Sequence, residues 1–170
     1  MSVAAIRAPR REEIARVWEM IAGLAGYERL ERELVGSAER LAADLFAERP
    51  PIECRVAERG GALVGYALFF PVYSSFHTQP AMWLEDIYVE SSERGHGTGR
   101  GLIAEVARLA LARGCGRLAW VVLDWNRPSI EFYERLGARA TEGWLQYGLD
   151  VPAMERLTAP DGIPGPREGA

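Results

Sequence analysis

Residues 93–102 read ERGHGTGRGL, with glycines at 95, 97, 99 and 101 and an apolar-periodic run directly after them. Two known phosphate-binding patterns are excluded at once. A P-loop needs Lys followed by Ser or Thr after its last glycine, and Arg100-Gly101 stands there instead. The dinucleotide fingerprint G-x-G-x-x-G also fails. Counted from Gly95 its third glycine falls on Arg100, and counted from Gly97 it falls on Leu102. What remains is a strand, a glycine-rich turn and a helix N-terminus. Such a turn can present successive backbone N–H groups, and the helix end adds partial positive charge. Glycine removes the side chains that would keep a diphosphate away. Arg94 and Arg100 could add charge-assisted contacts. From the glycines alone two readings stay open: a diphosphate cradle or a flexible surface turn.

The flanking sequence supplies a frame for this turn. VAAIRAP at the start reads as a short strand, and the next segment carries Ile14, Val17, Trp18, Ile21 and Leu24 at helical spacing. A second helix is predicted over SAERLAADLFAE, with Ser37 at its N-cap and Pro50-Pro51 ending it. IECRVAE, GALVGYALFFPVYS and AMWLEDIYVE read as three strands, the first two joined by a Gly60-Gly61 hairpin turn. A long helix from about Gly97 to Arg113 places Leu102, Ile103, Val106 and Ala110 on one face. Then follow a strand, RLAWVVLDW, and a short helix, RPSIEFYERLG, with Pro128 in its first turn and Gly137 at its C-cap. EGWLQYGLD reads as a last strand. This order implies one α/β domain over 1–158, built on a sheet of mixed direction. Residues 159–170, APDGIPGPREGA, are rich in Pro and Gly without periodicity and are expected to be disordered.

Composition removes several function classes. The net charge of −4 gives no support to a nucleic-acid partner. No apolar run approaches the roughly 20 residues that span a bilayer, and no signal peptide is expected, so the expected location is cytoplasmic, with no membrane partner. Two histidines, His77 and His96, and two distant cysteines, Cys54 and Cys115, leave a metal site little to build on. A nucleophilic role for Cys115 would need an activating base, and none is visible in the sequence.

The pattern R-x-x-G-x-G, set between LEDIYV and a long helix, resembles the acyl-CoA loop of the GNAT superfamily of N-acyltransferases. WNRPSIEFYERLGA is similar to that family's later motif, in which an Asn precedes a short helix carrying a Tyr. With LAGYERLE and EGW, the resemblance extends over residues 3–157 and narrows to the spermidine/spermine (diamine) N-acetyltransferase branch, some of whose members act on lysine-like amines. It implies a GNAT-like, mixed, mostly antiparallel central sheet flanked by helices, acetyl-CoA as cosubstrate, and a homodimer. The matching cradle positions are Arg94, Gly95, His96, Gly97, Thr98, Gly99 and Arg100. Ile87, Tyr88 and Val89 would pair through their backbones with the pantetheine arm, as an added strand does. Asn126, Arg127, Pro128 and Ser129 would lie along the same cofactor. Two departures, a short hairpin at ERGGALVG and a trimmed segment from Ala138 to Glu142, bear on the shape of the groove.

Acetyl transfer to an amine sets its own requirements. An alkylamine of pKa about 10.4 is neutral in roughly one molecule in 2,500 at pH 7, so its reactive form costs about 4.6 kcal/mol. The site must therefore hold a cation and then take its proton, and carboxylates can do both. Glu85 and Asp86 precede the cradle on a strand, where neighbouring side chains point to opposite faces. One of the pair should face the substrate and the other should not, and a solvated pair at the end of a sheet is the competing reading. The resemblance favours Glu85 as substrate-binding carboxylate and base, directly or through water. It adds Tyr27, Glu28 and Glu142 as substrate contacts and the Ala119, Trp120, Val121 stretch as channel wall. Taken alone, Tyr133 beside Ile130, Phe132 and Leu136 reads as a core aromatic; the resemblance makes it the general acid for the leaving thiolate. The expected activity is acetyl transfer to a primary amine of a small cation, a polyamine first and a lysine-like amino acid second. A protein amine as acceptor and a CoA-binding module without catalysis are the rivals from other classes.

Overall fold

The structure is a computed structural model that describes residues 4–159. Five strands form one sheet in the order β1-β2-β3-β4-β5. They are β1 (Ala5–Arg7), β2 (Glu53–Arg59), β3 (Ala62–Ser74), β4 (Gln79–Val89) and β5 (Leu118–Ala119). The first four pair antiparallel and β5 joins β4 in parallel, so the sheet is mixed and mostly antiparallel, as expected. The helices are α1 (Ile14–Glu28), α2 (Ala38–Leu45), α3 (Thr98–Ala112), α4 (Arg127–Arg135) and α5 (Val151–Thr158). Two compact units divide the chain, Met1–Ile130 and Glu131–Ala170. The first holds the whole sheet with α1, α2 and α3. The second holds the end of α4, an exposed stretch and α5.

Local chemistry explains the boundaries. Arg59 pairs with Ala62, so the β2–β3 loop is the two residues Gly60 and Gly61, with φ of 58° and 82°. Such a primed turn needs positive φ at both central residues and matches the twist of its strands. Ser37 caps α2 by accepting the Arg40 amide at 3.2 Å. α1 buries Ile14, Val17 and Met20 against Cys54, Val56, Tyr66 and Leu68 on one sheet face, with α2 contributing Leu41, Ala42 and Leu45. Each large side chain fully withdrawn there stabilises the fold by about 1.5–3 kcal/mol. α3 buries Leu102, Ile103, Val106 and Ala110, the face that its spacing predicts.

Two expected strands are corrected. RLAWVVLDW contributes only Leu118–Ala119 to the sheet, and its pairing with β4 stops at Trp83, just ahead of an irregularity in the β3–β4 register. The last expected strand does not form. Residues 141–150 are exposed and pair with no other strand among the described residues, and a strand without a ladder partner leaves its backbone to water. The expectation of disorder at the C-terminus lies, from residue 160 on, outside the described residues. No helix among the described residues is long and apolar enough to cross a membrane. Cys54 and Cys115 are free thiols, both buried, and burial pushes the Cys54 thiol up to about 12, which makes it a poor nucleophile.

Candidate active site

The site begins with an irregularity in β4. Leu68 pairs with Asp86 and Phe69 with Leu84, so Glu85 is an extra residue with no partner on β3. This β-bulge bends the strand. Pairing with β5 stops at Trp83, two residues earlier. From Leu84 to Val89 the β5-facing edge of β4 therefore has no ladder partner among the described residues. Its amides and carbonyls can accept another extended group. Ile87, Tyr88 and Val89 lie along this edge.

The bulge also overturns the expected alternation. Trp83 stands opposite Phe70 and Asp86 opposite Leu68, and residues 68 and 70 share a face of β3. The Trp83 indole donates to Glu85 Oε2 at 2.8 Å, so Glu85 is on that face too. Both carboxylates thus lie on the side covered by α1, because the inserted residue resets the period of two. They differ in surroundings. Glu85 is exposed, whereas Asp86 is half-buried and crowded by protein atoms.

Asp86 has an acidic neighbourhood. Burial pushes its carboxyl up to about 6, and the charges of Glu85 and Glu28 push the same way. Glu28 ends α1, and burial raises its carboxyl as well. Tyr66, fully enclosed on β3, draws the Asp86 carboxyl slightly down, although its hydroxyl closes no well-aligned hydrogen bond among the described residues. Burial and the nearby acids hold that phenol well above its ordinary range. A buried hydroxyl left without a partner costs about 1–3 kcal/mol. Nothing in the sequence singled out Tyr66. Its only signal is a polar tip in the apolar run ALVGYALFF, and its relation to Asp86 depends on register.

At the end of β4 the chain enters the glycine turn. Gly95 and Gly97 have φ of 79° and 82°, and a Cβ built on either meets nothing within 4 Å. Gly97 is the N-cap of α3 and offers no side chain to its first amides. These amides are left for an outside acceptor, which is the arrangement an anionic diphosphate requires. His96 and Arg100 are exposed, and Gly99 lies within the first turn of α3. Thr98 turns inward, its hydroxyl accepting from Arg59 at 3.2 Å, so only its backbone serves the turn. Arg94 folds back into the site. Its Nε donates to the Val89 carbonyl at 3.0 Å, and its guanidinium lies 5.1 Å from the Tyr27 ring and 5.8 Å from the Tyr88 ring.

Asn126 is buried and ties two elements together. Its Oδ1 accepts from the Tyr27 hydroxyl at 3.0 Å and from the Ser129 amide at 3.3 Å, the second being the N-cap bond of α4. Arg127 and Pro128 form the exposed first turn of that helix. Tyr27 also packs 6.2 Å from the Trp125 ring. Ala119 pairs with Trp83, Trp120 is half-buried and Val121 is exposed. The structure thus joins Tyr27, Tyr88, Arg94 and Asn126 in one cluster and Glu28, Glu85, Asp86 and Tyr66 in another. Tyr133 and Glu142 belong to the second unit. There Tyr133 is half-buried with its ring 5.4 Å from that of Phe132, and Glu142 is exposed.

Comparisons with known proteins agree with this geometry. A sequence-family model described as Acetyltransferase (GNAT) family matches residues 21–138. The chain is 38% identical to thialysine N-epsilon-acetyltransferase from Sus scrofa over 92% of this chain and 98% of that protein. It is 40% identical to L-ornithine N5-acetyltransferase NATA1 from Arabidopsis thaliana over 67% of this chain and 51% of that protein. Among solved structures, an integron cassette protein from the mobile metagenome of V. cholerae superposes with a TM-score of 0.77 at 21% identity, covering 94% of this chain and 99% of that one.

Proposed function

This chain belongs to the acetyltransferase (GNAT) family, and from that premise we propose that it acetylates the terminal amine of a small lysine-like amino acid, with acetyl-CoA as donor. It is an N-acetyltransferase acting on amines of small substrates. For the acceptor, the near full-length similarity to a thialysine enzyme, joined by the similarity to an ornithine enzyme, supports an amino acid with a terminal amine over the polyamine placed first on sequence resemblance. The observation that carries the catalytic reading is the bulge at Glu85. It lies two residues past the end of the β4–β5 pairing and sets the Asp86 carboxylate beside an open strand edge.

The residues present fit acetyl-CoA. Gly95 and Gly97 leave room for a diphosphate against the uncapped amides of α3, and the Leu84–Val89 edge would take the pantetheine arm. When bound, this cosubstrate supplies an activated acetyl thioester. Glu28, Glu85 and Asp86 hold the ammonium of the acceptor. Asp86 then takes its proton at a carboxylate oxygen. With its carboxyl near 6, Asp86 is a stronger base than an ordinary aspartate by about two units, or about 3 kcal/mol. It remains ionised at neutral pH. Glu85, the base favoured on resemblance, serves in this reading as a charge at the mouth of the site, because it is exposed and holds the Trp83 indole. Tyr133 holds a proton at its hydroxyl for the departing sulfur; a phenol of pKa near 10 is protonated at pH 7. Tyr133→Phe is expected to lower kcat by ten- to a hundredfold with little change in acetyl-CoA affinity. An unchanged kcat in a stopped-flow thiol assay removes Tyr133 from the mechanism.

The acceptor is tested by thiol release from acetyl-CoA with thialysine, lysine, ornithine, putrescine, spermidine and a lysine peptide. The highest kcat/KM is expected with thialysine. Faster turnover of spermidine restores the polyamine reading, turnover of the peptide alone makes the acceptor a protein, and CoA binding without any turnover makes the chain a binding module.

The chain is further proposed to form a homodimer. Trp144, Leu145, Tyr147 and Leu149 are exposed in a stretch whose sequence pattern is that of a strand but which has no ladder partner among the described residues. A second copy could supply one. Sedimentation equilibrium is expected to give twice the chain mass of 18.8 kDa; a monomer at micromolar concentration rejects the dimer.

A further inference from the structure

The hydroxyl of Tyr66 has no evident use in the fold. It sits at the middle of β3, fully enclosed, without a well-aligned partner among the described residues. The residue directly opposite is Tyr88, whose ring lies 6.3 Å away and whose own hydroxyl donates to Glu90 at 3.2 Å. The diagonal neighbour on the same face is Asp86. Diagonal neighbours in an antiparallel pair are within reach of an aromatic side chain.

The other groups facing this pair are acids and a thiol. Glu28 faces Asp86 from α1, Glu85 from β4 itself, and Cys54 faces Tyr66 from β2. Among Glu85, Glu28 and Tyr66, the side chains that act on Asp86, only Tyr66 carries a hydrogen-bond donor when the acids are ionised. Resting on the reading of Asp86 as proton acceptor, we propose that Tyr66 is a positioning residue: its hydroxyl donates to the Asp86 carboxylate, orients it toward the bound amine and sets the pH above which the site can accept a proton.

A donor to the charged form favours that form, so its removal raises the pH at which Asp86 ionises. In Tyr66→Phe the midpoint of the rising limb of kcat/KM is expected to move up by roughly half to one pH unit. One unit below the wild-type midpoint, the rate should drop about three- to tenfold, while the plateau stays within about threefold. Cys54→Ala opens a cavity in the same core and serves as the structural control. It should lower the melting temperature and leave the midpoint in place. An unmoved midpoint in Tyr66→Phe, or an equal shift in both variants, overturns the proposal. Asp86→Asn separates it from the reading beneath it: a rising limb that survives there refutes Asp86 as acceptor. Tyr66 is then judged in ligand-free wild-type protein labelled with 13C at the tyrosine Cζ. That resonance is expected to follow the Asp86 titration, and a flat trace from pH 5 to 8 refutes the contact without any variant.

Discussion

Asp86→Asn is expected to abolish nearly all turnover and to stabilise the fold at the same time. Loss of a general base lowers kcat by about two to four orders of magnitude. The stability gain follows from proton linkage. Asp86 ionises near 6 in the folded chain and near its ordinary value of 3.8 when unfolded. The folded state therefore binds this proton more tightly. Stability is lost as pH rises through the interval from about 4 to about 6, and the full cost is present above it. Two units correspond to about 3 kcal/mol at neutral pH. An uncharged isostere removes that cost together with the repulsion from Glu28 and Glu85. The melting temperature of Asp86→Asn should exceed that of the wild type by roughly 6–12 °C at pH 8, and the difference should vanish near pH 4. Calorimetry at the two pH values checks the stability arm and thiol release checks the catalytic one. A variant that keeps its kcat transfers the role of base to Glu85 or to a water chain. A variant that is inactive but no more stable means that Asp86 is not held at a cost.

Gly97→Val is expected to raise the KM for acetyl-CoA by about a hundredfold. Gly97 has a φ of 82° and precedes the first amide of α3. A β-branched residue there is strained by about 1–3 kcal/mol, although its Cβ would touch nothing within 4 Å. The larger loss is on binding. The added methyl groups stand where a diphosphate must approach the amides, and two charge-assisted hydrogen bonds at about 1.5 kcal/mol each make up about 3 kcal/mol, a hundredfold in affinity. Gly60→Val is the matched control, since Gly60 has a φ of 58° in an open hairpin turn. It should cost similar stability and leave CoA binding unchanged. Equal CoA affinity in both variants by titration calorimetry would mean that the glycine turn does not hold the diphosphate.

Much of the frame was legible before any coordinates. The apolar spacing of α1 and α3, the Ser37 cap, the two-glycine hairpin and the glycine turn that opens α3 all depend on contacts within a few residues. Local chemistry is sufficient for such features, because the interacting groups are neighbours in sequence. The last expected strand failed for the opposite reason. Trp144, Leu145, Tyr147 and Leu149 give a strand-like pattern, but a ladder also needs a partner, and periodicity says nothing about who provides one.

The same division runs through the site. The sequence by itself determined that a glycine turn opens α3, that two carboxylates precede it and that a tyrosine sits in the later motif. Only the tertiary structure decided which acid is half-buried and crowded by protein atoms. One inserted residue, Glu85, resets the alternation of β4, puts both acids on the α1 face and leaves Asp86 diagonal to Tyr66 and near Glu28. A bulge is a property of a pair of strands, and desolvation is a property of everything packed around a group. Neither is encoded by the spacing of residues along one strand.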